Sequence, residues 1–468
     1  MSTAQQADLL VRNVDWLITV DARRRVIRDA AVAVKDGKFA AIGKTAAIDA
    51  AWRAQRVVDG RGTVGMPGMV DNHLHSSFQL ARGLADESNA QSFLFDHMYP
   101  YEAVMEEEDV AVSVTLAAIE MLRHGVTCYI EPGNYYPDAT VNAVMGAGMR
   151  MVLATSCFDQ NKAVTGVMPQ RMIKDTARCI AETEAIFDKY PGRHRGRLTV
   201  SASFRGMNNS TDELILALKA IAQKHDAILQ THACFSYFTH DASVVQHGMP
   251  EIERLESLGV LDGKMLILHG GWLEPREIAL LAQRKPTIVC CPSSSLHNGY
   301  GNFTMGRHPE LMALGVNVSL GADHASSGTV DLVQEMRHCV GGYKELRLNP
   351  RVMPPEQAIE MATLNGARGA GLADRIGSVE AGKEGDLVLF DATVSEWQPL
   401  YNPVSNLVYG ATGNTVKHVF VGGEQVVQDG RLTRIDQDAA MREVVRAGNR
   451  ITGRLDMGKV LKLRWPVE

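Results

Sequence analysis

Apolar and polar residues alternate in short runs at both ends of the chain. Over residues 8–68 the runs are "DLLVRNVDWLITV", "AAVAVKDGKFAAIG" and "RVVDGRGTVGMPG", punctuated by Gly, Asp and Asn. A period of two broken by these residues predicts small antiparallel strands joined by tight turns. The pattern returns at 385–433 in "GDLVLFD" and "VKHVFVGGEQVVQDGRL". The two ends, 1–65 plus 371–440, are expected to build one small composite β-sandwich domain around a long insertion.

The insertion, 66–370, has another rhythm. Short apolar runs alternate with stretches of helical period. The strand candidates are "GMVDNHLH", "GVTCYIEPG", "RMVLATSCF", "LTVSASF", "AILQTHACF", "MLILHGG", "TIVCCPSS" and "VNVSLGADH". Helix candidates between them include "DVAVSVTLAAIEMLRHG", "DELILALKAIAQKHD" and "EPREIALLAQR". Eight strand-then-helix units predict an α/β fold, a (β/α)8 TIM barrel. Residues 441–468 are expected to form a C-terminal helical extension.

Chemistry in such a barrel sits where its strands end. Strand one ends in His73-Leu74-His75, and alternation puts both imidazoles on one face. Strand five ends in His232, strand six in His269 and strand eight in Asp323. Each has an ordinary explanation alone: packed histidines are common, and Asp323 could cap the helix that follows. Five such groups in barrel order point instead to a divalent metal of borderline softness. Such an ion lowers the pKa of a bound water into the neutral range and makes it a nucleophile.

Charge and cysteine usage narrow the partners. The net charge is −6, so no basic field favours nucleic acid or anionic lipid, and a small-molecule substrate is expected. The cysteines, at 128, 157, 179, 234, 290, 291 and 339, contain no C-x-x-C pair and suggest buried, reduced thiols. Cys290-Cys291 lies in an apolar run and reads as core. The start "MSTAQQADLL" lacks the pattern of a secretory signal, and no apolar run has the length of a membrane span. A cytoplasmic protein is expected.

The motifs "PGMVDNHLHSSFQLARGLAD", "LHGGWLEPREIALLAQR", "CPSSSLHNGYG", "ELMALGVNVSLGADHASS" and "GSVEAGKEGDLVLFD" together resemble the amidohydrolase superfamily over nearly the whole chain. They are most similar to the branch holding cytosine and S-adenosylhomocysteine deaminases, triazine hydrolases, and phenylurea and molinate hydrolases. Two-metal members carry a carboxylated lysine on strand four; here that strand, "RLTVSASFRGMNN", has no lysine at its end. The resemblance therefore implies one metal per chain, held by His73, His75, His232 and Asp323, with His269 beside it or as a further ligand. Zinc is the expected ion, with cobalt, manganese or iron suited to the same ligands. Asp323 and His269 are the implied catalytic groups, and a homo-oligomer, dimer or tetramer, is implied as well.

One position departs from the family. In its deaminases and triazine hydrolases the strand-five histidine is followed, three residues on, by a glutamate that protonates a ring nitrogen. Here "THACFSYF" places Phe235 there. A carbonyl carbon needs no ring protonation. The expectation is therefore hydrolysis of a carbamoyl-type C–N or C–S bond, in a urea, carbamate, thiocarbamate or amide. The alternative is deamination or dechlorination of a nitrogen heterocycle, with Glu131 in "YIEPG" as the substitute acid. A third class, a barrel without metal that serves as a scaffold, does not need all five groups.

Other substrate contacts are expected from Phe235 itself, Arg205 after strand four, His297 and Asn298 after strand seven, and His324 beside Asp323. Residues 84–107 are expected to cap the barrel mouth, with Phe93, Phe95, Tyr99 and Tyr101 lining an apolar pocket. Ser293–Ser295 read as turn residues.

Overall fold

The computed structural model describes residues 4–190, 194–324, 327–457, 461 and 465–467. The first three residues of the expected β domain, and 458–460, 462–464 and 468 of the expected helical extension, lie outside the described residues.

All eight strand candidates of the insertion form strands. They are Met69–Asp71, Val126–Ile130, Arg150–Leu153, Leu198–Val200 with Ala202–Gly206, Leu229–Ala233, Met265–His269, Thr287–Cys290 and Asn317–Leu320. We number them barrel strands one to eight. Neighbours pair in parallel all the way round. Strand four is split at Ser201: its first half pairs with strand three and its second half with strand five. Asn72 N donates to Leu320 O at 3.0 Å, and a parallel bridge joins Leu74 to Asp323, so strands eight and one close the ring. Most strand residues are buried, which is why they read as continuous apolar runs.

The helices follow their sequence signals. Glu107–Arg123 starts at a capping box between Glu106 and Asp109. It buries Val110, Val114, Ala117, Ala118 and Met121 at helical spacing. Its acidic first turn and terminal Arg123 suit the helix dipole. The C-terminal helix, Gln437–Arg454, begins four residues before the expected boundary because Asp436 accepts from Ala439 N. Arg450 and Arg454 reach the buried Asp109 at 3.1 and 2.6 Å and fix this helix against Glu107–Arg123. No helix among the described residues is long and apolar enough to cross a membrane.

The two chain ends share one nine-stranded sheet. Thr63–Pro67 joins them: it runs parallel to Gln5–Ile18 and antiparallel to Leu387–Asp391. Alternation sends Leu9, Val11, Val32 and Val34 into one apolar cluster. Leu10, Ala31 and Ala33 pack with Ile48 and Trp52 in another.

A buried ion cluster ties this sheet to the N-terminal end of barrel strand three. Arg150 Nε lies 2.8 Å from Asp386, and its Nη2 lies 2.8 Å from Glu384. A two-pronged guanidinium–carboxylate contact of this kind is both strong and directional. Removing the arginine leaves Asp386 buried without its cation. Arg150→Ala is therefore expected to lower stability by about 3–5 kcal/mol, measured by urea unfolding. The cluster lies at the start of strand three and the metal residues at strand ends, so the variant that remains folded should keep its metal content.

Candidate metal centre

Local sequence sets the histidines at the barrel's rim. His73 N donates to Asp71 Oδ1 at 3.1 Å, and Ala322 N donates to the same oxygen at 3.2 Å. Asp71 thereby ties the end of strand one to the end of strand eight. Its full burial raises its pKa to about 7. A Cβ added at Gly321 would stand 2.8 Å from the His73 Cβ, so the close approach of these chains requires glycine there. Cys234, His269 and Asp323 adopt φ values of 57°, 76° and 64°, in the left-handed region, each just at a strand end. Such backbone is costly for non-glycine residues and persists where the surroundings hold it in place.

The ligand atoms of His73, His75, His232 and Asp323 all lie within 4.8 Å of one another. His73 Nε2 is 3.0 Å and His75 Nε2 is 3.7 Å from Asp323 Oδ1. His75 Nε2 and His232 Nε2 are 3.1 Å apart. His232 Nδ1 lies 2.6 Å from the Arg205 carbonyl, which only accepts, so Nδ1 carries the proton and Nε2 presents a lone pair. Burial, and then the Arg205 guanidinium near His75, push the His75 imidazole well below its ordinary range. Burial and then His73 do the same to His232. Burial alone would raise the Asp323 pKa, but His324, His73 and His269 outweigh it and hold the carboxyl well below the usual carboxylate range. His73 Nδ1 has no hydrogen-bond partner among the described residues, while its Nε2 faces Asp323. Three imidazoles and one carboxylate converge here, three of the four residues buried and His232 half-buried, and this donor set fits one divalent cation.

His269 stands at the rim of this quartet, its Nε2 3.8 Å from Asp323 Oδ2. Burial lowers its pKa to about 3, so it is neutral. His308 Nε2 lies 2.7 Å from the His269 carbonyl and steadies its strained backbone. His324 is 3.5 Å from Asp323 Oδ2 and stacks on Phe93 at 4.6 Å; burial lowers its pKa to about 4. Ser294, expected in a turn, instead donates its Oγ hydrogen to Asp323 Oδ2 at 2.5 Å from the helix Pro292–Asn298.

The cavity above the quartet is lined by aromatic rings. Phe78, Phe93, Phe95, Tyr99, Phe235, Phe238 and Tyr300 contribute, with Arg205, Asn208 and Thr239 among the polar groups. Phe235 is 5.4 Å from His269 and 5.5 Å from Tyr300, ring centre to ring centre. Arg205 lines the wall and is held by Glu102 at 2.7 Å, with its Nη2 3.4 Å from His75 Nδ1.

Four expected contacts fall elsewhere. Glu131 is fully buried outside the cavity lining, where Ser76 donates to it through both backbone N and Oγ. Its pKa rises to about 7 by burial, but its carboxyl faces Ser76 and not the cavity. His297 also lies outside the lining, 3.2 Å from Asp86. Asn298 donates to Ser88 O at 3.2 Å, so both residues hold the loop that covers the mouth. Tyr101 packs edge-on behind Phe78 and donates to Ser77 O at 3.3 Å. All seven cysteines are buried, Cys290 and Cys291 among them.

A residue not singled out in the sequence does line the cavity. Glu251 opens the helix Glu251–Ser257, and its Oε2 accepts from Cys234 N at 2.5 Å. In "GMPEIERLESLG" it looks like any acid in a helix's first turn, and only the folded chain brings it to strand five.

The profile described as "Amidohydrolase family" matches residues 64–426. The chain belongs to the amidohydrolase family. This amidohydrolase is 30% identical over 432 residues to the 5-methylthioadenosine/S-adenosylhomocysteine deaminase of Nitratidesulfovibrio vulgaris (strain DP4), covering 92% of this chain and 94% of the relative. An adenosine deaminase structure from Xanthomonas campestris with bound zinc superposes with a TM-score of 0.87 at 27% identity, over 96% of this chain and 100% of that one. The atrazine chlorohydrolase of Arthrobacter aurescens TC1 shares the fold, with a TM-score of 0.84 at 20% identity, over 94% of this chain and 100% of that one. This amidohydrolase is thus a hydrolase of C–N bonds other than peptide bonds, built around one divalent metal site.

Proposed function

We propose that the protein removes an exocyclic amino group from a nitrogen heterocycle, with water as the co-substrate and ammonia as the product. The carrying observation is the converging His73–His75–His232–Asp323 quartet beside an aromatic-walled cavity that His75, His232 and Asp323 help to line. A flat ring stacks well between such walls. The 30% identity to a methylthioadenosine/S-adenosylhomocysteine deaminase supports this heterocycle reading over the carbamoyl one.

The quartet would hold one ion, zinc by analogy with the adenosine deaminase structure. When bound, the ion supplies Lewis-acid activation of a water. The rest falls to the chain. Asp323 is ionised and accepts the water's proton as oxygen bonds to the ring carbon. Ser294 orients Asp323 by donating to Oδ2. His269, neutral and 3.8 Å from Asp323, flanks the reacting carbon as a hydrogen-bonding group. Asp323 then returns its proton to the departing amine. Phe93 and His324, stacked at the mouth, keep bulk water out.

Phe235 favours a second reading, hydrolysis of a carbamoyl-type bond, because a phenylalanine donates no proton to a ring. Ammonia release from an aminated ring separates the two. Metal-loaded protein would be offered adenosine, 5′-methylthioadenosine, S-adenosylhomocysteine, 5′-deoxyadenosine, guanine and aminopyrimidines, against ureas, carbamates and thiocarbamates. Turnover with ammonia release in the first group is expected. Turnover confined to the second would replace this reading.

A further inference from the structure

Addition of water to a heteroaromatic carbon places negative charge on the neighbouring ring nitrogen, and a proton must arrive there. Phe235 carries none. Among the described residues lining the cavity, two have carboxyl groups, Asp323 and Glu251. Asp323 belongs to the quartet, with one oxygen facing His73 and the other accepting from Ser294. We propose that Glu251 is the acid that protonates the heterocycle's ring nitrogen, supplied from the helix after strand five in place of a group at position 235. This rests on the heterocycle reading above.

The placement carries the assignment. Glu251 is 1% exposed and lines the cavity together with Phe235, Phe238, Asn208 and His232. Its Oε2 accepts from the backbone N–H of Cys234, which holds the carboxyl next to the residue immediately before Phe235 in the cavity lining. No ion pair to Glu251 occurs among the described residues. Burial raises its pKa to about 7; Glu277 of the helix Pro275–Arg284 adds to the rise, while Cys234 N and His240 of the helix Tyr237–His247 oppose it. A carboxyl that retains its proton near neutrality is suited to give it up to a ring nitrogen of similar basicity.

The atoms balance. The Glu251 proton goes to the ring nitrogen and a water proton goes to Asp323 while the C–O bond forms. The C–N bond then breaks: the amine leaves as ammonia with the proton from Asp323. The new hydroxyl returns its proton to Glu251, leaving a ring carbonyl beside a protonated nitrogen.

Glu251 also accepts from the strained Cys234 backbone, and the test must separate that supporting role from proton donation. Glu251→Gln keeps an acceptor oxygen for Cys234 N and cannot transfer a proton. With the zinc-loaded full chain and whichever aminoheterocycle it turns over, kcat should fall by about 10²–10⁴ with KM little changed. Wild-type kcat should decline as pH rises through about 7, where Glu251 loses its proton, and this limb should vanish in the variant. A variant kcat within about threefold of wild type would overturn the assignment.

Infrared difference spectroscopy with purine riboside, which has no amino group to lose, tests Glu251 independently of turnover. A protonated-carboxyl band absent from Glu251→Gln or moved in Glu251→Asp should shift on binding. An unshifted band overturns the assignment, even where aminoheterocycles are turned over. A shifted band without any turnover would leave Glu251 as a ring contact and remove the deaminase reading instead.

Discussion

Asp323→Asn should leave a folded protein whose turnover is lower by about 10²–10⁴ or more. Two losses add in this variant. The amide supplies no negative charge to the quartet, although Asp323 Oδ1 lies 3.0 Å from His73 Nε2. It also cannot accept the water's proton and hand it to the amine. The Ser294 hydrogen bond to Oδ2 can survive in part, so gross unfolding is not the expected cause. Steady-state kinetics with excess zinc checks the proton-transfer part, because excess metal compensates weaker binding and not a missing base. Circular dichroism of the same sample excludes unfolding.

Metal removal has the other large expected effect, and it reaches stability as well as rate. The His75 and His232 Nε2 atoms lie 3.1 Å apart at the ends of barrel strands one and five, and an ion held by both would tie those strands together. An ion that binds only the folded state stabilises it by about 4 kcal/mol at a thousand times its Kd. Dialysis against a chelator should abolish turnover and lower Tm in a calorimetric scan. Stoichiometric zinc should restore both. An unchanged Tm after complete removal would mean that the quartet does not hold the metal.

The sequence showed the barrel because its strands are buried on both faces. Runs such as "MLILH" stand out against amphipathic helices, and all eight proved to be strands. The metal quartet was legible for a related reason. Each ligand lies at or within four residues beyond the end of such a run, and a closed parallel barrel brings all strand ends to one rim. The cavity walls were less legible, because they depend on contacts between distant segments. Arg205 meets Glu102 from 103 positions away, and Asp323 meets Ser294 across the gap between strands seven and eight. Glu131 looked available because it follows strand two, but Ser76 takes up its carboxyl. His297 and Asn298 follow strand seven as expected, yet they sit on the helix Pro292–Asn298 with their polar atoms toward Asp86 and Ser88. Glu251 shows the limit of motif spacing. A three-residue window after His232 ends at Phe235, while the fold brings a carboxyl to the adjacent Cys234 from a helix 17 residues further on.

Anomalous diffraction at the zinc edge from zinc-loaded crystals would locate the divalent ion that these four residues are expected to hold. One strong peak per chain is expected, within bonding distance of His73, His75, His232 and Asp323. A peak elsewhere, or a quartet that stays empty in fully loaded protein, would contradict it.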